Sequence, residues 1–326
     1  MSMTASQDWL SRLLGLLTVA GRLEIRCTYG APWRIEHGTS AAREMPYHLV
    51  LKGTAILEDP GGGPAQTLGE GDLVLLAHGS AHVLHDGSGL APAAASLRQG
   101  ANLAVSENAG MGERLDMLCG RFIIAPPHDR LVRDYLPARL IVRSRATGTA
   151  AAHLAGLVAL MRAEAAGDYL GGHAMLDALS SALFTLALRA AGEAGQASPG
   201  LLAMAGNPRL TPALTAMFND PARPWTLPEL AARCGMSRAT FMRHFQDSLG
   251  RSAYDLLTDL RVSLAANALT QPSASTERVA ESAGYQSVAA FRRAFAQRMG
   301  MTPGQWRRKG NAATQAPGPD REPSTK

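Results

Sequence analysis

The sequence predicts an α+β protein: a small N-terminal β-barrel, a helical connector, and a C-terminal all-α domain with two helix-turn-helix motifs. Three observations predict it. Residues 20–125 break into short apolar runs separated by Gly-rich turns, the pattern of a small barrel or jelly roll. Residues 148–195 turn Ala-, Leu- and Met-rich with helical spacing. Residues 208–309 read as helix throughout and contain an internal duplication at a register of 50.

The elements follow in order. Residues 9–19 are apolar but short; Leu10, Leu13, Leu14 and Leu17 recur at helical spacing and Arg12 interrupts the run, so an amphipathic helix is expected rather than a signal peptide. Residues 23–27 alternate as a strand, 47–51 and 54–57 flank a Lys52-Gly53 turn, and 60–64 form a tight Pro/Gly loop. Residues 69–72, 73–76 and 79–84 continue the series, and 118–124 close it. In the next segment Leu154, Leu157, Val158 and Met161 make one stripe, and Leu176, Leu179, Leu183, Leu186 and Leu188 another. That helical pair has two readings, internal packing or pairing with a second copy in a homodimer. Residues 192–200, with Pro199, read as a linker, and the Pro- and Ala-rich tail from Gly310 reads as disordered. The expected domains are 1–147, 148–204, 205–310 and 311–326. No apolar run approaches the ~18 residues of a membrane span, so no membrane partner is expected.

The duplication pairs Ser237 with Ser287, Phe241 with Phe291, Arg243 with Arg293, Phe245 with Phe295 and Gly250 with Gly300. Ala231/Ala280 and Gly235/Gly284 pair at 49, because the second turn carries one more residue. Each copy is a short apolar helix, a Gly-bearing turn, a Ser suited to cap a helix, and a second helix studded with Arg. The phenylalanines lie four apart and should face inward. Arg238, Ala239, Met242 and Arg243 are then outward in the first copy, and Gln286, Ser287, Val288, Ala289, Arg292 and Arg293 in the second. Arg pairs bidentately with guanine or clamps phosphate, and Ala, Val and Met suit a thymine methyl. Arg251, Arg261, Arg298, Arg307 and Arg308 are expected to hold phosphates.

Charge supports this reading. The whole chain carries +5, yet residues 1–204 hold 16 Lys+Arg against 18 Asp+Glu, while residues 205–310 hold 14 against 7. The basic surplus therefore sits on the duplicated segment, as a partner of double-stranded DNA requires. Three cysteines make no disulfide framework, and with the DNA-binding pattern they point to a reducing cytoplasm.

Residues 208–308 resemble the DNA-binding domain of AraC/XylS-type bacterial transcription regulators. The resemblance rests on Trp225-Thr226-Leu227-Pro228-Glu229-Leu230-Ala231, on Gly284-Tyr285-Gln286-Ser287 with Phe291 and Phe295, and on Gly300-Met301-Thr302-Pro303-Gly304-Gln305-Trp306-Arg307. It implies a seven-helix domain in which the helix around 253–269 joins the two motifs, double-stranded promoter DNA as ligand, RNA polymerase as partner, and a role as activator or repressor. One departure is Ala253, where the second copy has Pro303.

Residues 20–125 are similar to the cupin sensor domains of one branch of that family, through residues 48–53, 69–72 and 80–82. Many cupins bind a metal with an HxH pair, a following Glu and a later His. Here Tyr47-His48-Leu49 lacks the HxH pair, so neither a metal nor another cofactor is expected, although His37, Glu44, His48, His78, His82 and His85 gather near one barrel. His48 and His82 are expected to line the sensing pocket for a small-molecule effector. Cys27 and Cys119, with Trp33, His37 and Gly38, resemble positions in oxidant-responsive members, which makes the two thiols candidate redox groups. Arg26 and Arg121 could favour a thiolate. The competing reading is that both are small buried hydrophobes. The expected protein is a regulator and not an enzyme; the alternative is a cupin-type metal-dependent enzyme fused to a DNA-binding domain.

Overall fold

The computed structural model describes residues 8–194, 200–271 and 274–315. They gather into two compact units. One is Leu13–Thr211 with Arg243–Gly250; the other takes the described residues of Met1–Arg12, Pro212–Met242 and Arg251–Lys326. The expected tail lies outside the described residues beyond Gln315, and so does most of the expected linker, at 195–199.

The chain opens with α1 (Trp9–Leu17). Asp8 starts it by accepting the Ser11 N–H at 2.9 Å and the Ser11 hydroxyl at 2.6 Å. Strands follow: β1 (Val19–Gly30), β2 (Arg34–His37), β3 (Glu44–Lys52), β4 (Ala55–Glu58), β5 (Gln66–Leu68), β6 (Leu73–Leu76), β7 (His82–His85), β8 (Ala95–Gln99), β9 (Ala104–Asn108) and β10 (Arg114–Ile124). After α2 (Asp129–Tyr135), β11 (Arg139–Val142) completes the strands.

They form two sheets and not a closed barrel. The seven-stranded sheet runs β11-β6-β3-β10-β1-β9-β8 and the four-stranded one β2-β7-β4-β5, with no ladder joining them among the described residues. The alternation of each strand explains the layering. Cys27, Val50, Leu57, Leu68, Val74, Leu84, Met117 and Cys119 come from both sheets and share one apolar core.

The outer face of the larger sheet is covered by helix. α3 (Thr149–Ala166) and α4 (Gly172–Glu193) pack on each other, and α4 packs on β1, β10 and β11 of this sheet. α4 corrects the membrane expectation on one point: it is long and apolar enough to cross a membrane by composition, with half of that stretch buried in the fold. Three of its polar residues bond to the sheet. Ser181 accepts the Gly21 N–H at 2.9 Å, Asp177 accepts the Leu23 N–H at 3.2 Å, and Ser180 bonds the Tyr47 hydroxyl at 2.7 Å. β9 pairs β1 only from Ile25 to Thr28, so α4 supplies acceptors where that edge has no strand. A Cβ at Gly21 would lie 2.4 Å from the Ser181 backbone nitrogen, so glycine permits the close approach.

After α5 (Leu201–Ala205) come the seven helices of the C-terminal segment: α6 (Thr211–Asn219), α7 (Leu227–Arg233), α8 (Arg238–Leu249), α9 (Ala253–Ala268), α10 (Thr276–Ser282), α11 (Val288–Met299) and α12 (Pro303–Gln315). α12 continues five residues past the expected domain end at 310. Val262, Ala265 and Ala266 of α9 pack with Val279 and Ala280 of α10 and with Phe291 and Phe295 of α11.

Candidate DNA-reading face and thiol–imidazole cluster

The two helix-turn-helix motifs are built by the same local chemistry. Thr226 and Glu229 close a capping box at the start of α7, and Ser275 caps α10 by accepting the Arg278 N–H at 3.1 Å. The turns pass through Gly235 at φ +62° and Gly284 at φ +78°. Ser237 then accepts the Thr240 N–H at 3.2 Å, and Ser287 the Ala290 N–H at 3.2 Å, starting α8 and α11. Phe241, Phe245, Phe291 and Phe295 are fully buried, as their spacing predicts.

Arg238, Ala239, Met242 and Arg243 are exposed on α8; Gln286, Ser287, Ala289, Arg292 and Arg293 are exposed in the second turn and on α11. Val288 differs: it is half-buried against the α9–α11 core, because the first turn of α11 tilts that position inward.

Four of the five arginines expected on phosphate are engaged within the protein. Arg298 reaches Asp255 at 2.6 Å and Asp259 at 3.0 Å, and Arg251 reaches Asp259 at 3.6 Å. Arg261 donates to the carbonyls of Pro221 at 2.7 Å and Arg223 at 2.8 Å, and Arg307 to the Thr276 hydroxyl at 3.1 Å. These guanidiniums brace helix against helix or loop. Arg308 is exposed.

In the other unit, Cys27 and Cys119 lie inside the sheet sandwich, 4% and 5% exposed. Cys119 pairs with Ile25 and Cys27 with Met117, which sets the thiols diagonally on the inner face of β1 and β10. The neighbouring arginines do not act on them. Strand alternation turns Arg26 to the opposite face, to Asp116 at 2.7 Å, while Arg121, two residues beyond Cys119 on the same strand, is held by Glu24 at 2.6 Å and Glu44 at 2.8 Å. The thiols act on each other instead. A hydrogen bond from Cys119 lowers the Cys27 thiol, and the same bond together with burial pushes Cys119 well up. Cys27 is thus the more acidic thiol of the pair. Cys234, expected to be packing, is half-buried beside the first turn, with its thiol raised by burial.

His48 and His82 meet as neighbours of this pair. His48 pairs with Cys119 across β3 and β10, and its Nδ1 lies 3.1 Å from the Cys119 sulfur. Its Nε2 lies 2.7 Å from Nε2 of His82, whose Nδ1 lies 2.9 Å from the Ser80 carbonyl. A carbonyl only accepts, so His82 carries its proton on Nδ1 and takes one from His48 Nε2. His48 Nδ1 therefore turns its lone pair to the Cys119 thiol, where it competes with Cys27 for the one thiol proton. Burial holds both rings below the ordinary imidazole value, and His37 at about 4.

His37 joins the cluster: it pairs with His82 across β2 and β7, and their rings stack at 4.6 Å. The three imidazoles bring one ring nitrogen each within 4.8 Å of the others. The spacing of 11 and 34 residues concealed this, since His37 and His48 belong to different sheets. The remaining residues of the gathering point elsewhere. Glu44 is held by Arg121, His78 Nε2 lies 3.2 Å from the Leu136 carbonyl, and His85 lies 3.3 Å from Glu58. The familiar HxH–Glu–His metal set of cupins does not fit these residues.

The comparisons follow this division. The Cupin family profile matches residues 8–193 and a helix-turn-helix domain profile matches residues 230–309. An uncharacterised HTH-type transcriptional regulator of Haemophilus influenzae is 30% identical over 92% of this chain and 98% of its own. The RCS-specific HTH-type transcriptional activator RclR of Escherichia coli is 28% identical over 93% of this chain and 98% of its own. Among solved structures, the DNA-binding domain of AdpA, in complex with a target DNA, is 28% identical over 33% of this chain and 98% of its own, with a TM-score of 0.32.

Proposed function

Since the chain belongs to the HTH-type, AraC-class transcription regulators and carries a Cupin domain ahead of its helix-turn-helix domain, we propose that it is a regulator whose promoter binding is set by the oxidation state of Cys27 and Cys119. It is a sequence-specific DNA-binding protein. In this reading it works in the cytoplasm, and Arg238, Ala239, Met242 and Arg243 enter one major groove. Gln286, Ser287, Ala289, Arg292 and Arg293 enter the next, about 10 bp on. The Cupin domain is the sensor and not an enzyme, and the bound regulator activates by contact with RNA polymerase, as an activator such as the Escherichia coli relative would.

The observation that carries the redox reading is the asymmetric thiol pair beside His48. A two-electron oxidant reacts with the Cys27 thiolate, and Cys119 then displaces the leaving group. Two thiols and one hydrogen peroxide give one disulfide and two waters; with hypochlorous acid the products are the disulfide, chloride, a proton and water. A cross-link between neighbouring strands β1 and β10 shifts the populations of DNA-binding states.

The test is a gel shift on the DNA upstream of the protein's own gene, at fixed salt, with reductant and then with peroxide or hypochlorous acid. The expected result is a specific shift that changes with oxidant and is locked by Cys27→Ser and by Cys119→Ser. A specific shift indifferent to both oxidants and both variants would overturn the redox reading, keep the DNA-binding one, and move the search to a small molecule in the Cupin domain.

A further inference from the structure

We propose that the free edge of β8 is a homodimer interface, at which two copies of this chain pair β8 with β8, antiparallel, about a two-fold axis through Leu97.

β8 ends the seven-stranded sheet and is bonded to β9 alone. Its five residues, Ala95–Gln99, are all exposed, on both faces of the strand. Other sheet ends are partly buried or blunted. β11 buries Leu140 and Val142, β2 carries the ion-paired Arg34 and Glu36, and Arg143 donates to the Thr67 carbonyl of β5.

The pairing with β9 decides which groups of β8 point outward. Gly100 donates its N–H to the Leu103 carbonyl at 3.1 Å, so these two residues form a hydrogen-bonded pair. In an antiparallel ladder such pairs alternate with non-bonded ones. Counting back along the register, Arg98 with Val105 and Ser96 with Glu107 turn their main-chain groups to β9. The N–H and C=O groups of Ala95, Leu97 and Gln99 therefore face away from it. Ala93, next in the alternation, gives its N–H to the Pro32 carbonyl at 2.9 Å, so the open stretch is these three residues.

Three outward residues make the edge self-complementary, and this selects a second copy as the occupant. With the axis at Leu97, each Leu97 faces the other as a hydrogen-bonded pair, and Ala95 faces Gln99 on either side. Every outward N–H then meets an outward C=O. A slip of two residues leaves one end of each strand unpaired. The side chains agree with this register. Leu97 is 70% exposed and meets its own copy, and Arg98 lies opposite Ser96, so no like charges face each other. Leu90 and Met111, 68% and 95% exposed, lie on the chain just beyond the Ala95–Asn108 pair and add apolar surface there. A two-fold contact of this kind closes on itself, so the edge is capped and does not propagate.

The pairing fuses two seven-stranded sheets into one and brings two DNA-binding domains into one assembly. It depends on neither the redox reading nor the assignment of DNA contacts.

The experiment is sedimentation equilibrium on the full-length reduced protein, over concentrations of about 0.1–100 μM. A concentration-dependent monomer–dimer equilibrium is expected. Leu97→Pro deletes the outward donor at the centre while sparing the ladder to β9, since proline is tolerated where the N–H faces away from the neighbouring strand. Leu97→Lys sets two like charges opposite each other. Each should weaken the dimer by about 10-fold or more, the net worth of the two central hydrogen bonds. Leu160→Arg, at an exposed apolar position of α3, should dimerise as wild type. Thermal melts at monomer concentrations separate lost association from lost folding: all three variants should melt as wild type does. In hydrogen exchange, peptides covering 95–99 should slow as concentration rises in wild type and not in the Leu97 variants. The proposal is overturned if wild type is monomeric throughout, if both Leu97 variants dimerise as wild type, or if residues 95–99 exchange as fast in the dimer as in the monomer.

Discussion

Arg298→Ala is the sharpest test of how the C-terminal helices are held. Its guanidinium is 16% exposed and reaches two carboxylates of α9, Asp255 at 2.6 Å and Asp259 at 3.0 Å. Asp259 is the costly one, because its side chain is 4% exposed and its remaining cation, Arg251, stands at 3.6 Å. Removing one partner of a buried pair costs about 3–5 kcal/mol, since the other charge stays out of water. The Asp255 pair is half-exposed and adds about 0–1 kcal/mol, and Arg251 compensates part of the Asp259 loss. The net expectation is a loss of about 2–4 kcal/mol between α9 and α11. Hydrogen-exchange mass spectrometry on the full chain reads this locally. Peptides from 253–268 and 288–299 should exchange about 30- to 1,000-fold faster, with the β-sheet peptides unchanged as an internal standard. Arg298→Met, which keeps the apolar stem, should lose nearly as much. A change below about 3-fold in both variants would refute the bracing role and return Arg298 to the solvent-facing, phosphate-holding set.

Four further outcomes are expected. Arg243→Ala or Arg293→Ala should weaken binding to specific DNA by about 1–3 kcal/mol in a gel-shift titration if the side chain pairs with guanine, and equal losses on random DNA would assign it to phosphate. Arg308→Ala should reduce the steepness of the log–log salt dependence by about 0.9 if Arg308 neutralises a phosphate, whereas Arg261→Ala should leave that slope as it is. The two turn glycines should respond unequally in thermal melts. A Cβ at Gly284 would lie 2.0 Å from the Ala222 carbonyl oxygen, and one at Gly235 meets nothing within 4 Å. Gly235→Ala should therefore cost about 1–2 kcal/mol of left-handed strain, and Gly284→Ala clearly more. Finally, burial holds His128 at about 4, below the ordinary 6.5 of the unfolded chain. Its contribution is complete above pH 6.5 and is lost as pH falls towards 4, because the unfolded state takes the proton first. About 1–2 kcal/mol should disappear over that window after allowance for solvent screening, and His128→Gln should flatten it in urea titrations at pH 7 and pH 5.

What could be read from the sequence was local. Phe241 and Phe245, Phe291 and Phe295, and the capping serines 237 and 287 sit at helical spacing along one segment, so pattern alone placed them. The arginines were harder, because their partners are chosen by tertiary packing. Nothing near Arg298 in sequence indicates Asp255 and Asp259, which lie about forty residues earlier on another helix. Arg26 and Arg121 misled for the opposite reason. They are neighbours of Cys27 and near Cys119 along the chain, yet strand alternation sends Arg26 to the other face and two carboxylates, Glu24 and Glu44, hold Arg121. The imidazole cluster needed both effects at once: a register that pairs His37 with His82, and a sandwich that brings His48 over from the second sheet. The barrel expectation was right about short strands and tight turns but could not reveal which strands would remain edges.

One of those edges has a consequence for the solution behaviour of the protein. From Val19 to Glu24, β1 has no β9 partner, and Asp177 and Ser181 of α4 occupy its outward N–H groups. An open edge with free donors is a template for strand addition by another chain, and here two short side chains close it. Replacing Asp177 and Ser181 together by alanine would leave the helix able to form while unmasking that template. Such a protein should be prone to edge-to-edge aggregation at concentrations where the parent stays dispersed, a cost that a list of lost hydrogen bonds would understate.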